Sequence, residues 1–381
     1  MAPLIWVRLL AAAAVGFFAW RGQFWALPLS LIVPCLMALQ PSRIAAGSTA
    51  LAYYGAASLP VIAVSEVYWP SKGVLAIALW FAAAAALSLP WVVFWTRKPA
   101  LKPFAVMAAM LLSAVPPLCI VGWASPLVSA GVLFPDSTWF GIAAVAALPG
   151  LLIHRTTRAV SLLAATSASI ILNAGSKAIE IPKGWEAEKT SIHRSRQQGS
   201  LTDFFIEDRL QRIVMQSQAR FLVFPEGAVR HWTEATDAFW ATALDGSPKT
   251  VLLGAGQVIP GSSQYYNSVV ILGREPRDAV HQRIPVPGGM WNPLRSKGTF
   301  AADPFAPGTV DVGGQRAAIL ICYEQLLAWP MLRSAVEHPT LLIAISNEAW
   351  TSRTVVPRVQ RACSRAWARL FGLPLISAIN S

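Results

Sequence analysis

Residues 1–176 carry nine Lys or Arg side chains and two acids, Glu66 and Asp136; the other 22 basic and 17 acidic residues fall in residues 177–381. A soluble domain is about 25% charged. The whole 381-residue chain is 13% charged and 55% hydrophobic, with a mean hydropathy of +0.49. A single soluble globule and a disordered or low-complexity protein are both excluded. One part of the chain is composed for lipid. The net charge of +12 points first to a membrane surface and only second to nucleic acid, so no nucleic-acid partner is expected. The four cysteines (Cys35, Cys119, Cys322, Cys363) are too scattered for a disulfide framework or a zinc site, and neither a CxxC nor a histidine cluster exists. No metal or organic cofactor is expected. The boundary is placed near Gly175, with a transmembrane domain of about seven helices over 1–175 and an α/β domain over 176–381.

The candidate spans are Leu4–Trp20, Phe24–Leu39, Ile44–Val64, Val74–Trp95, Phe104–Trp123, Trp139–Ile153 and Ala159–Ala174. A span needs roughly 20 residues to cross the hydrocarbon core, and the second, sixth and seventh are short. Trp20, Tyr68, Trp69, Trp91, Trp95, Trp123 and Trp139 sit near the ends, as an aromatic belt requires. The linkers holding Arg97, Lys98 and Lys102, and Arg155 and Arg158, are basic and should be cytoplasmic. The stretch 124–138 between them has no Lys or Arg and should lie outside. One more span then places everything after Gly175 on the far side of the membrane. Six spans and a cytoplasmic domain form the alternative.

In the second half, Phe221–Phe224, Val251–Gly254, Ser268–Leu272, Ala317–Cys322 and Leu341–Ser346 read as buried strands. Asp203–Gln218 and Pro357–Phe371 read as amphipathic helices, and Glu186–Ser200 as a polar loop at the membrane exit. Polar residues concentrate where the strands end. Glu226 follows Phe224-Pro225 and suits a general base with a pKa raised by burial; a helix-start acid is the alternative. Cys322 ends an apolar run where a helix is expected to follow, which favours the thiolate; a packed core thiol is the alternative. Cys363, among apolar neighbours in a helix, reads as core. A third site is Ser346-Asn347-Glu348-Ala349-Trp350, where Trp350 suits a pocket wall; a packed loop aromatic is the alternative.

Together these segments resemble the carbon–nitrogen hydrolase (nitrilase) superfamily, which uses a Glu-Lys-Cys triad on an αββα sandwich. Glu226 matches its glutamate, Cys322-Tyr323-Glu324 its nucleophile motif and Tyr266-Asn267-Ser268 one of its strands. Seven preceding spans narrow the resemblance to the apolipoprotein N-acyltransferase branch, with Ser346–Trp350 similar to its S-N-D-A-W. Gln360, Arg365-Ala366 and Ala378-Ile379-Asn380 are similar to its closing pattern. The resemblance departs at the lysine. Aligned on Pro287 and Gly289, that position is Gln282, and the family's second glutamate is Met290. Arg283 is adjacent, but side chains alternate along a strand, so it substitutes only if the backbone shifts by one residue. The altered segment, with Gly184-Trp185, looks like the TraB-type conjugal transfer proteins. The acyltransferase branch continues into a last span beyond the equivalent of Ser381, which implies a shortened form or a fragment.

The resemblance implies an inner-membrane protein with an external N-acyltransferase-type domain. Cys322 would attack an acyl ester of a membrane phospholipid, with Glu226 as base and Gln282 or Arg283 at the lysine's task. Tyr323, Glu324, Asn347 and Trp350 would line the substrate site. The acceptor would be a lipoprotein or another amine. Arg358, Arg361, Arg365 and Arg369 form a basic stripe that suits phospholipid headgroups or a solvated face. The main alternative is a non-catalytic membrane component of a conjugation apparatus; an amidase acting on a small amide is the third.

Overall fold

The computed structural model describes residues 2–69, 72–192, 200–292 and 299–381. It divides into two compact units. The first comprises residues 1–178 with the short returns 326–329 and 353–372, and the second holds the remainder.

Helices of the first unit are Ala2–Ala19 (α1), Ile32–Ala38 (α2), Arg43–Ala57 (α3), Pro60–Tyr68 (α4), Gly73–Val93 (α5), Lys102–Ala114 (α6), Ala130–Leu133 (α7), Thr138–Leu152 (α8) and Arg158–Gly175 (α9). A tighter 3₁₀ run, Phe24–Leu31, leads into α2. Each expected span is thus wholly or partly helical, but two are cut short. The third breaks at Ser58-Leu59, before Pro60. The fifth stops at Ala114, because Pro116 and Pro117 lack the N–H groups a helix needs. Among the described residues, only α5 and α9 are long and apolar enough to cross a bilayer unaided. The other apolar helical stretches are shorter.

Small residues and paired polar groups hold this apolar unit together. A Cβ on Gly16 would lie 2.3 Å from the Tyr53 carbonyl oxygen, so α1 and α3 cross backbone against side-chain-free backbone. Trp20 Nε1 donates to the Tyr53 hydroxyl at 3.0 Å, and Tyr53 donates on to the Ala124 carbonyl at 2.9 Å. Ser42 caps α3 by accepting from the Ala45 N–H, a contact worth about 1 kcal/mol. Helix α9 differs from the rest: it buries none of its residues, and Val160, Leu163 and Ile171 are each 69% exposed.

The second unit contains the strands Trp185–Ala187 (β1), Lys189–Thr190 (β2), Phe221–Val223 (β3), Val229–Trp232 (β4), Thr250–Val258 (β5), Tyr265–Gly273 (β6), Asp278–His281 (β7), Thr309–Val312 (β8), Gln315–Ile321 (β9), Leu341–Asn347 (β10) and Leu375–Asn380 (β11). Ser200–Gln216 (α10) and Glu234–Leu244 (α11) accompany the first sheet, and Ala328–Ala335 (α12) follows β9. Val356–Phe371 (α13) groups with the first unit and ends where Gly372 turns left-handed at φ 63°.

The strands form two sheets. One runs β1-β3-β5-β6-β7 with β4 on β5, and the other runs β2-β11-β10-β9-β8. Alternation along the strands sorts the side chains. Val223, Leu252, Val269 and Ile271 meet Ile319, Ile321, Ile343, Ile345 and Ile376 between the sheets. Their neighbours Leu222, Val251, Leu253 and Val270 point outward onto Leu210 and Val214 of α10 and Trp240 and Leu244 of α11. Each such fully buried side chain contributes roughly 1.5–3 kcal/mol. The second sheet is buried on its outer side as well, at Ala318, Leu320, Leu342 and Ala344. Near-continuous apolar runs are what a parallel sheet covered on both faces requires. Residues 193–199 of the polar loop expected at Glu186–Ser200 lie outside the described residues; its first part forms β1 and β2.

Candidate active site at the strand ends

β3, β5 and β7 run in one direction through the first sheet, and β9, β10 and β11 in one direction through the second. Open α/β sheets place their chemistry at the carboxyl ends of such strands. Glu226 follows β3, Gln282 follows β7, Cys322 follows β9, and Asn347 and Asn380 close β10 and β11. Asn267 lies near the start of the antiparallel β6 and so reaches the same edge.

The glutamate sits in a turn, not at a helix start, because β4 begins at Val229. That removes the helix-dipole reading of Glu226. The turn is forced by close packing. A Cβ on Gly254 would lie 2.2 Å from the Pro225 carbonyl oxygen and 2.6 Å from Glu226 Cα, and Gly227 takes φ 70°.

Cys322 itself has φ 50°, a left-handed conformation that costs a non-glycine residue of order 1–3 kcal/mol and clusters at functional sites. The helix expected directly after it is at first a 3₁₀ one. A single 3₁₀ turn, Cys322–Leu326, comes first, and α12 begins only at Ala328. The thiol is buried and hydrogen-bonds to Glu226.

Neutral groups surround the rest of the Glu226 carboxylate. Asn267 Nδ2 donates to its Oε1 at 2.7 Å, and the Asn347 backbone N–H donates to its Oε2 at 2.9 Å. Burial pushes its pKa above the usual carboxylate value, and the Glu324 charge adds a little. The donors from Cys322, Asn267 and Asn347 pull the other way without overcoming burial.

Gln282 occupies the edge where the resemblance calls for a lysine. Its Oε1 accepts from Asn267 Nδ2 at 2.8 Å, and its Nε2 donates to the Ile321 carbonyl at 2.9 Å. A continuous chain therefore runs from Cys322 through Glu226, Asn267 and Gln282 back to the residue preceding the cysteine. None of its amide links carries a charge.

Arg283 does not take the lysine's place. Its side chain points the other way, 1% exposed. Nε donates to Glu324 Oε1 at 3.2 Å, Nη1 to the Pro330 carbonyl and Ser334 Oγ at 2.9 Å each, and Nη2 to the Ile319 carbonyl at 3.0 Å. The one-residue backbone shift that would turn it inward is absent, because the Gln282 N–H remains on the Asn267 carbonyl. Glu324 likewise presents no carboxylate to a ligand. Besides Arg283, it accepts from the backbone N–H groups of Ile321, Arg283 and Ile284. This buried pair braces the turn that carries Cys322.

Asn347 contributes its backbone N–H to the site, while its side-chain oxygen accepts from Asn380 Nδ2 at 3.0 Å. Tyr323 is half-buried, and Trp350 is partly buried against the core between the sheets. Met290 lies in the turn after β7, its N–H on the Val286 carbonyl. Sequence reasoning gave Asn267 and Asn380 no role. Their signal was a polar amide placed within or ending an otherwise apolar strand.

The chain is 32% identical over 397 residues to the conjugal transfer protein TraB of Agrobacterium fabrum, covering 98% of this chain and 92% of that one. It is 33% identical over 388 residues to a probable TraB of Sinorhizobium fredii, covering 98% and 97%. The chain belongs to the TraB conjugal transfer protein family. An apolipoprotein N-acyltransferase of Nitrosomonas europaea is 24% identical over 185 residues, 44% of this chain and 37% of that one. A carbon–nitrogen hydrolase structure from Helicobacter pylori aligns with a TM-score of 0.39 and 13% identity over 50% of this chain and 72% of that one. No family model matches the chain.

Proposed function

We propose that this TraB-type protein is an integral inner-membrane acyltransferase of a conjugation system, with a nitrilase-like external domain that works through a thioester on Cys322. The observation that carries the reading is the Cys322 thiol on a buried Glu226 of raised basicity. Glu226 takes the thiol proton, and the sulfur attacks the carbonyl carbon of a phospholipid ester. The ester C–O bond breaks, and the lysolipid oxygen leaves with the proton held by Glu226. An amine, such as a lipoprotein N-terminus, then attacks the thioester carbon. The S–C bond breaks, and the amine's proton passes through Glu226 to the departing sulfur, which restores the thiol. Tyr323 and Trp350 are assigned to the pocket wall. Asn347 positions the base.

The membrane part of the reading rests on the two long apolar helices, of which α9 has no fully buried residue. The basic linkers at 97–102 and 155–158 support an external placement of the second unit. Alkaline phosphatase fused after residue 200 should be active in a bacterial host; an inactive fusion would overturn the external placement.

A specific observation favours a second reading, a non-catalytic component of the conjugation apparatus. The lysine position is a neutral glutamine whose oxygen and nitrogen both have partners. Mass spectrometry of the purified protein decides between the two. An acyl adduct on Cys322, absent from Cys322→Ala, supports the enzyme. No adduct on wild type or on a folded Gln282→Lys variant leaves the non-catalytic reading standing.

A further inference from the structure

Helix α13 is almost entirely buried, yet one seam along it is cationic. Arg358, Arg361 and Arg365 are exposed and Arg369 half-buried, at three- and four-residue steps, while eleven residues of the helix are buried. Within the same unit, these arginines lie against the end of α1 and the segment that follows it. A Cβ on Gly22 would lie 2.3 Å from Arg358 Cβ, so the glycine is what lets the two segments touch.

The guanidinium groups rest on aromatic rings. Arg21 lies 3.8 Å from the Phe17 ring centroid, Arg365 lies 4.5 Å from that of Phe24, and Arg369 lies 5.4 Å from Phe24 and 5.7 Å from Trp25. Stacking fixes the plane of a guanidinium and leaves its N–H edge available. Arg358 and Arg21 are neighbours: Arg358 Nε donates to the Arg21 carbonyl at 3.5 Å. Both side chains bring positive charge to one groove, which an anion seated there would neutralise.

Both arginines line one groove of about 610 Å³, whose other walls include Phe18, Ala26, Leu29 and Val355. Phe18 is 60% and Leu29 42% exposed. A free inorganic anion would satisfy the arginines and leave the apolar walls wet. An uncharged chain would do the reverse. A molecule with an anionic phosphate at one end and an acyl chain at the other fits both halves.

We infer that Arg21 and Arg358 form the headgroup site of one anionic phospholipid, with its acyl chain along the groove. The inference rests on the membrane reading of the first unit and is independent of the chemistry at Cys322.

The test is native mass spectrometry of the full-length protein in neutral detergent with equimolar phosphatidylglycerol and phosphatidylcholine. Wild type should retain one phosphatidylglycerol with a preference of about tenfold or more, as two interfacial arginines imply. Arg21→Gln/Arg358→Gln should bring the preference near one, and Arg358→Gln alone, at an exposed position, should lower it several-fold. Arg316→Gln, which alters an exposed pair with Asp311 in the second unit, should leave it unchanged. Cys322→Ala should retain the lipid too, so failure of the acyltransferase reading leaves this result intact. Equal retention of both lipids, a preference undiminished by loss of Arg358, or displacement by millimolar inorganic phosphate would overturn the inference.

Discussion

Glu226 and Glu324 are both buried carboxylates beside strand ends of the same α/β unit, and their partners differ in kind. Glu324 faces a guanidinium and three backbone N–H groups. Glu226 faces a thiol, an amide side chain and one backbone N–H. Taking a carboxylate out of water is costly unless a partner compensates it. The arginine supplies that compensation at Glu324, which becomes a brace. At Glu226 only neutral dipoles supply it, and burial holds its pKa above the usual carboxylate value, as the proposed base requires. Charge partners, more than burial, separate the bracing carboxylate from the proposed base. The family lysine would have blurred this contrast by bringing a cation to Glu226, and Gln282 keeps it sharp.

The largest way to break the comparison is to remove the cation from Glu324. Arg283→Met leaves a buried charge uncompensated and should destabilise the second unit by about 3–5 kcal/mol. Arg283→Met with Glu324→Gln removes both charges and keeps an acceptor for the backbone N–H groups, so it should recover at least half of the loss. Chemical denaturation in detergent reads both values. A single variant that costs under about 1 kcal/mol would show that the arginine does not balance Glu324.

The reverse experiment brings a cation to Glu226. Gln282→Lys with Met290→Glu restores the charge pattern that the resemblance calls for. A lost electrostatic donor of this kind costs about 10²–10³ in rate. The double variant should therefore form the Cys322 thioester up to that much faster with a phospholipid donor in detergent. Gln282→Lys alone should gain less, because an unpaired buried ammonium tends to deprotonate. Rates equal to wild type in both folded variants would remove the ammonium argument.

Much of this contrast was legible in the sequence, and the missing parts share a cause. Apolar runs ending in Glu226, Cys322 and Asn347 located the strands and the edge where they meet. Alternation along one strand separated Gln282 from Arg283. Which of the two faced the cysteine followed once the strand was placed, and the brace partner of Arg283 did not, since Glu324 lies 41 residues away. Glu324 was assigned to substrate because a motif reports adjacency and not the direction of a side chain after a left-handed residue. Asn267 was quoted within a motif without a role; its two bonds, to Glu226 and Gln282, exist only across strands. In the helical part, hydropathy located every apolar segment. It overstated the lengths where Pro60, Pro116 and Pro117 interrupt the backbone, because hydropathy does not register a missing N–H.

The smallest expected effect sharpens the comparison from the side of Glu226. Its folded-state pKa is raised from 4.5, first by burial and then by the charge of Glu324. The folded chain therefore binds this proton more tightly than the unfolded chain does. By linkage, the stability contributed by the protonated carboxyl is fully present below about pH 4.5 and is lost as pH rises through the raised value. Glu226→Gln carries no proton to lose and should be flat across the same window. Near pH 4 the two proteins should differ only by the exchange of hydrogen bonds. Toward pH 8 wild type should lose ground to the variant, by about 1.4 kcal/mol for each tenfold by which folding tightens the proton. Asn267→Leu removes one donor that favours the ionised form, so it should carry the loss to still higher pH. Denaturation midpoints measured from about pH 4 to pH 8 test all three proteins together. A wild-type-minus-variant difference that does not change with pH would mean that Glu226 ionises as it does in water, and the contrast with Glu324 would then be one of geometry alone.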